Sequence, residues 1–575
     1  MSLSDVVHFL LGRRDIVAGV VVVAAALAAV PLAKRVGAAA TWLARRAPRA
    51  GRERAVVLTL VALTFATAAL CSYLRPPLAA VHDEFSYLLA ADTFAHGRLT
   101  NPTPPSPEHF ETFHVVVEPT YQSKYPPGQG LVLALGQVVF GHPIAGVWIG
   151  AALFAAATWW ALRAVTGPGV ALVWSVLAVL RFASSDYWAQ SYWGGCLAAA
   201  GGALVVGATF RLARTLTPSA ALALAAGSVV LALTRPFEGF VLAAIAHLVI
   251  AAARLFSDAR TSTRSVAAAC AAWAVVLCVG LGFLAHYNRA VTGDALRLPY
   301  LEHEERYAAT PNLLLQGPIE TPEYLHPEFE RFWAGWVKAK YDERRESTWL
   351  TVAGEKLAYY GPFYVNWSWL PFLAVGLLFA HARGLRVMAL GGAWAIVVVA
   401  FDNAHYGSPF TAVAVVACAL GTERALRARD ARVRAAAFAA TCAVVLATAL
   451  EAVEAQLGWR AAWPALRADL VGRLTGLPGD DIVFVRTDYS TLDAAGRADW
   501  DNIDWVFNGA DLRGAPVLFA RDLGEEANRR LLEAFAPRLG WRLCLPAGVE
   551  NGPAFDALEP ITTEAPRPTS SVNAR

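Results

Sequence analysis

Charge is scarce in this chain. Asp, Glu, Lys and Arg make up 17% of its 575 residues, where a soluble domain of ordinary composition carries about 25%. That deficit excludes a large enzyme solvated on all sides. Cysteine is sparse too. Cys71, Cys196, Cys270, Cys278, Cys418 and Cys442 lie in apolar runs, and Cys544 stands alone near the C-terminus. No Cys-x-x-Cys pair and no Cys/His ligand spacing occurs, so neither a zinc site nor a disulfide framework is indicated. The net charge is only +3, and no basic stripe interleaved with aromatics is present, which argues against a nucleic-acid partner. There is no internal repeat, and no inverted pair of broken apolar helices of the kind that marks many transporters.

What the chain does have is hydrophobic length. Hydrophobic residues make up 56% of it and the mean hydropathy is +0.42. Repeated long apolar runs define a polytopic α-helical membrane protein. The N-terminal run is read as a retained helix: Val17 to Ala33 is longer than a signal-peptide core and ends in Lys34-Arg35. Spans are expected at Ile16–Ala33, Ala55–Tyr73, Pro143–Leu162, Val170–Phe182, Gly194–Phe210, Ser219–Leu233, Phe237–Ala253, Ser265–Ala285, Tyr360–Ala380, Val387–Phe401, Tyr406–Leu420 and Ala435–Leu450, about twelve crossings by length. Gln129–Phe140 is short for a span and is placed along the outer interface; the alternative is a tight hairpin of two crossings. Lys34, Arg35, Arg45, Arg46, Arg49, Arg52 and Arg54 mark the first loop as cytoplasmic. The following loop is then extracytoplasmic, in a bacterial-type inner or plasma membrane, and Arg163, Arg211, Arg214, Arg254, Arg260, Arg264, Arg383, Arg386 and Arg424 all fall inside.

Four regions follow. Residues 1–54 hold an extra N-terminal helix and the basic loop. Residues 55–455 form the multi-span domain, with a large polar loop at 74–142. Residues 456–558 read as a small extracytoplasmic α/β domain, with strands expected at Asp481–Arg486, Asp504–Phe507, Ala515–Ala520 and Trp541–Leu545 and an amphipathic helix at Glu525–Phe535. Residues 559–575, rich in Pro, Thr and Ser, read as a disordered tail.

The chain is organised around Val81–Gly130. This stretch opens with His82-Asp83-Glu84-Phe85-Ser86-Tyr87 and closes with Lys124-Tyr125-Pro126-Pro127-Gly128-Gln129-Gly130. Adjacent carboxylates just after an apolar span are costly unless they sit in water or do chemistry there. Asp92, His96, His109, His114 and Tyr121 lie in the same loop. Other polar groups expected on that side are Ser185–Gly195, Thr234-Arg235-Pro236-Phe237-Glu238, His286–Arg289 and Asn403-Ala404-His405-Tyr406. Arg235 would clamp a phosphate at the mouth of the bundle; the plainer alternative is a snorkelling arginine paired with Glu238. The tryptophans and tyrosines here also fit an interfacial belt, and His405 fits a structural role.

The acidic pair soon after an early span, the large outside loop and the Lys124–Gly130 segment resemble the C-superfamily of membrane glycosyltransferases. The likeness is nearer to the branch of protein O-mannosyltransferases and lipid A aminoarabinose transferases. It covers roughly Ala55 to Leu420, with specific motifs only in the first loop. An additional N-terminal helix, the Tyr125 that separates Lys124 from the double proline, and the C-terminal domain depart from it. The resemblance implies a sugar (hexosyl or pentosyl) moved from a polyprenyl-phosphate donor to a hydroxyl on a lipid, glycan or protein acceptor, with inversion. It implies Asp83 as general base, with Glu84 orienting it or contacting the acceptor, and Lys124 and Arg235 at the donor phosphate. Tyr87, Tyr125, Glu238 and His405 are the candidate substrate-binding residues. No cofactor is expected; adjacent carboxylates of this kind hold a divalent metal in the oligosaccharyltransferase relatives, but no further acidic ligand is placed for one here.

A transporter or flippase of a lipid-linked or anionic solute is the competing class, and it would need ionisable residues at mid-membrane depth. A scaffold or sensor centred on the C-terminal domain is the third. The arginine distribution gives a direct test. Reporter fusions after Arg214, Arg264 and Arg386 should read cytoplasmic, and fusions after Glu108, Pro311 and Asp481 should read outside. A cytoplasmic signal at Glu108 would remove the polar loop from the outer face.

Overall fold

The structure, a computed structural model, describes residues 14–45, 50–183, 187–256, 262–379, 383–456, 463–488, 504–546 and 558–561. Arg46, Arg49, Ser185, Asp186, Arg260 and the tail beyond Ile561 lie outside those residues. Among the described residues, seven helices are long and apolar enough to cross a membrane: Arg52–Leu74, Ile144–Leu162, Gly195–Leu212, Pro236–Leu255, Thr263–Thr292, Ala404–Leu426 and Ala431–Ala455. Ala18–Leu32, Pro127–Phe140, Pro168–Ala183, Pro218–Ala232 and Leu370–Phe379 are apolar but shorter. The expected count of about twelve full-length spans is therefore replaced by seven long helices and these five shorter ones.

The shortfall has local causes. Expected span Tyr360–Ala380 is broken, with helix Trp349–Tyr364 ending before Val365 and helix Leu370–Phe379 beginning after it. Asn366 sits in the break. Its side-chain oxygen accepts from the Trp369 amide (3.2 Å) and its amide donates to Glu451 (2.9 Å), a local side-chain capture that competes with helix continuation. In the first expected span, helix Arg14–Ala29 gives way to a 3₁₀ turn at Val30–Leu32, where Pro31 sits, before helix Ala33–Arg45.

Burial sorts the long helices. The apolar windows of Gly195–Leu212, Ala404–Leu426 and Ile144–Leu162 are 83%, 78% and 72% buried, whereas that of Thr263–Thr292 is 6% buried. The first three form the centre, and the last presents an apolar wall outward. Alanine and glycine let the central backbones approach closely, as helix association in lipid requires: a Cβ on Gly376 would overlap the carbonyl oxygen of Ala417.

The residues after Trp463 build a four-stranded sheet. Strands β3 (Asp481–Asp488), β4 (Val517–Arg521) and β5 (Leu539–Pro546) are parallel, and β6 (Leu558–Ile561) runs antiparallel at the β5 edge, giving the order β4-β3-β5-β6. Two expectations are corrected here. Glu559–Ile561 belongs to the sheet and not to the tail, and Asp504–Phe507 is not a strand. The Asp504 carboxylate accepts from the Val506 amide (2.9 Å), turning the backbone locally.

Side-chain alternation gives the sheet two apolar faces. One packs Val483, Val485, Val517 and Phe519 on Trp463, Leu470 and Leu474 of helix Trp463–Thr475. The other packs Ile482, Phe484, Leu518 and Ala520 on helix Glu525–Ala534 and on Leu89, Phe110, Val115, Val117 and Tyr121 of the polar loop. That loop consists of helix His82–Ala95, the two-stranded ribbon β1 (Val115–Val116) and β2 (Gln122–Ser123), and helix Pro127–Phe140. It is thus a layer of the C-terminal domain as well as a cover of the bundle.

Candidate active site

The closing motif of the loop assembles the site, and each residue in it has a task. Pro126 and Pro127 start a helix with preset φ. The Gly128 amide donates to the Leu233 carbonyl (2.7 Å), and a Cβ there would stand 2.6 Å from the same oxygen, so only glycine allows the contact. This bond ties the motif to Thr234-Arg235. Gln129 donates to the Tyr192 carbonyl (3.0 Å). Ser86 donates to the His114 carbonyl (2.6 Å) and meets the Ser123 hydroxyl (2.7 Å), which joins helix His82–Ala95 to both arms of the loop.

Together these ties surround a cavity of about 550 Å³ whose walls include Asp83, His114, Lys124, Tyr125, Arg235, Glu238, His405 and Tyr406. Of the residues expected at the site, Asp83, Lys124, Tyr125, Arg235, Glu238 and His405 converge there. Glu84 and Tyr87 do not line it. The Tyr125 hydroxyl donates to Asp83 Oδ1, and His114 Nε2 stands 3.8 Å from Oδ2. Burial and the neighbouring Asp83 carboxylate hold the Tyr125 hydroxyl well above its ordinary pKa, so it stays a donor. His114 has φ 64, in the left-handed region that a non-glycine residue seldom occupies. Tyr87 is buried and stacks on Tyr125 (4.5 Å, 17°), backing the ring that holds Asp83.

Glu84, expected to orient Asp83 or contact the acceptor, directs both carboxylate oxygens to backbone amides. Its Oε2 accepts from the Ala80 (2.8 Å) and Val81 (3.3 Å) amides, and its Oε1 accepts from the Tyr192 amide (3.0 Å). One carboxylate therefore caps helix His82–Ala95 and anchors the Tyr192 loop. Burial raises its pKa to about 7 despite these three bonds.

Two cations face the cavity in different states. Lys124 is buried, pairs with Glu304 Oε1 (3.0 Å), and lies over the rings of Tyr300 (4.6 Å), Trp333 (5.3 Å) and Tyr125 (5.6 Å). Burial raises the Glu304 carboxyl, but Lys124 and the adjacent His303 together outweigh it and hold it at about 2. Arg235 occupies the N-cap position of helix Pro236–Leu255, and its guanidinium lies over the Tyr406 ring (5.0 Å). Among the described residues no carboxylate, Glu238 included, stands within ion-pairing distance of it. His405 is buried, with Nδ1 3.2 Å from the Tyr187 hydroxyl, which donates to Asn403 (2.7 Å).

Sequence reasoning did not assign Glu304, Tyr300, Trp333 or Asp402 to the site, nor give His114 a role. Asp402 lines the far wall, where it pairs with Lys356 (2.7 Å) and Arg344. The amphipathic Pro299–Tyr307 helix was the available signal. Three of the loop's side chains offer a set of potential cation ligands. Ligand atoms of His82, Asp83 and His114 all lie within 4.8 Å of one another. Burial first, and then Lys124, lowers both imidazoles, His82 to about 3, so both are neutral ligands, and each has an Nδ1 without a hydrogen-bond partner in the structure.

The fold and site define a multi-helix membrane protein whose acid, cations and aromatic rings meet in one cavity beside the bundle. No protein-family model and no curated protein sequence matches the chain. Similar solved structures are ArnT from Cupriavidus metallidurans without ligand (14% identity, 86% of this chain and 93% of that one, TM-score 0.46) and bound to undecaprenyl phosphate (13%, 85% and 93%, 0.46). The oligosaccharyltransferase of Archaeoglobus fulgidus is also similar (11%, 84% and 69%, 0.38). At these scores the likeness adds no weight to the function.

The Glu84 environment makes a pH prediction. An unfolded glutamate ionises near about 4.3, below its folded value of about 7. The folded state therefore binds the extra proton, and its advantage is complete below the lower value and lost as pH rises through the upper one. Thermal melts of purified protein should show wild type gaining on Glu84→Gln as pH falls from about 8 to about 6. Parallel curves would contradict the assignment.

Proposed function

We propose that this chain is a membrane glycosyltransferase that moves a hexosyl or pentosyl group from a polyprenyl-phosphate donor to a hydroxyl acceptor on the extracytoplasmic side, with inversion. The observation that carries the reading is the cavity that brings the Asp83 carboxylate and the Arg235 guanidinium together without pairing them. Asp83 takes the proton of the acceptor hydroxyl as its oxygen attacks the anomeric carbon. The bond from that carbon to the phosphate oxygen breaks, and the lipid phosphate leaves with the electron pair. Base assistance of this kind is worth about 10²–10⁴ in rate, and a fixed guanidinium at the departing phosphate stabilises charge where it develops. Tyr125 occupies Oδ1, which leaves Oδ2 as the proton acceptor. Lys124 serves as a second, shared cation, since Glu304 already pairs with it. Glu238, His405 and the surrounding rings shape the sugar pocket. The acceptor is a lipid, glycan or protein. A transporter is not favoured, because the polar side chains of the cavity come from loops and helix starts rather than from a path through the bundle.

For the base, Asp83→Asn should lower transfer from radiolabelled polyprenyl-phosphate sugars by at least ~10²-fold while polyprenyl phosphate still binds. Arg235→Ala should instead weaken that binding by about 1.5–3 kcal/mol. Wild-type turnover in Asp83→Asn would sink the mechanism.

The reaction so drawn needs no cofactor. The cluster of His82, Asp83 and His114 favours a second reading, in which those three hold a divalent cation that supplies Lewis-acid assistance. Chelation with EDTA followed by dialysis separates the two. Unchanged transfer is expected; loss restored by Mn²⁺ would hand the role to the cluster.

A further inference from the structure

The active-site loop is held from behind by the C-terminal domain, and the contacts fall close to the reacting groups. Arg521, at the end of β4 and buried, donates to the Glu111 carbonyl (3.0 Å) and to Asp504 Oδ2 (2.8 Å). The same Asp504 oxygen accepts from the Thr112 hydroxyl (2.8 Å). Glu111 and Thr112 lead directly into His114, the residue with left-handed backbone beside Asp83. Three residues beyond Asp504, Phe507 stacks on Phe85, which is two residues beyond Asp83. At the far end of the same helix, the Ala510 amide donates to Asp92 (2.7 Å). One irregular segment, 504–510, thus grips both arms that carry the site.

A buried guanidinium and carboxylate are costly to place unless geometry and hydrogen bonds are good. Here the Asp504 carboxylate oxygen joins two donors from different parts of the chain, so moving the Thr112 arm breaks a charged network and not a surface contact. Apolar packing acts in the same direction, since Phe110 and Val115 on either side of that arm belong to the core of the sheet.

We infer that the C-terminal domain is a working part of the catalytic site, with Asp504, Arg521 and Phe507 as positioning residues that fix Asp83 and His114 relative to the bound donor. The activity part of this inference rests on the glycosyltransferase reading; the structural part does not. Arg235 lies on the membrane-domain side of the cavity, so the brace sets the acid-base groups and leaves phosphate recognition alone.

The test uses the full-length protein in detergent with Asp504→Asn, Phe507→Leu and the charge-keeping Arg521→Lys. Hydrogen–deuterium exchange should rise at 82–87 and 110–116 in Asp504→Asn and Phe507→Leu, and stay at wild-type level in the central helix Gly195–Leu212. With a polyprenyl-phosphate-linked hexose as donor, kcat should fall about tenfold or more with donor KM unchanged, and Arg521→Lys should keep more of kcat than Asp504→Asn. Binding of polyprenyl phosphate should match wild type in all three. Wild-type exchange at 110–116 in both Asp504→Asn and Phe507→Leu would overturn the brace. Raised exchange with wild-type kcat would overturn the positioning role. If wild type itself transfers no sugar from any polyprenyl phosphate, the enzyme reading fails, and the exchange arm still decides the brace.

Discussion

Asp83 and Arg235 line one cavity and do not meet. Left to themselves, an acid and a guanidinium at the edge of an apolar bundle would close on each other, because an unpaired charge out of water is expensive. The protein holds them apart by giving each a weaker partner. Tyr125 donates to Asp83, and the Tyr406 ring lies under Arg235. Each charge stays available because its partner is a neutral hydroxyl or an aromatic face. A third charge, Lys124, is neutralised by Glu304 inside an aromatic cage. The cavity therefore keeps an acid and a cation available, as proton transfer toward a departing phosphate demands on the function proposed.

The surrounding architecture serves that separation. The Gly128–Leu233 bond fixes the distance between the loop motif and the start of helix Pro236–Leu255. Glu84, buried on three backbone amides, anchors helix His82–Ala95 to the Tyr192 loop. From the other side one face of the sheet packs both helix Glu525–Ala534 and the loop. The loop's apolar side chains Leu89, Phe110, Val115 and Val117 find their cover on that face.

Much of this was legible from the chain and some was not, for physical reasons. The Lys124–Gly130 motif reads well because proline and glycine constrain the backbone locally, whatever surrounds them. Strands β3 and β4 announce themselves as short continuous apolar runs rich in valine and phenylalanine. Glu84 does not reveal its task, because backbone amides have no sequence signature and two adjacent carboxylates look alike. Glu304 reaches Lys124 across 180 positions, and nothing local in Pro299–Tyr307 says which loop it will face. The break at Asn366 was hidden inside an apolar run, where one polar side chain outweighs the hydropathy around it. Asp504–Phe507 has the composition of a strand, and Asp504 turns it aside by bonding its own backbone.

The central claim is that the space between Asp83 and Arg235 belongs to a lipid-linked phosphate and the sugar it carries. A structure of the protein in lipid nanodiscs with polyprenyl phosphate bound tests it most directly. The account predicts the phosphate within hydrogen-bonding distance of the Arg235 guanidinium, with the lipid chain leaving the cavity toward the bilayer and Asp83 across the remaining gap. A phosphate held instead by the arginines at the opposite end of the bundle, with the cavity unoccupied, would contradict it.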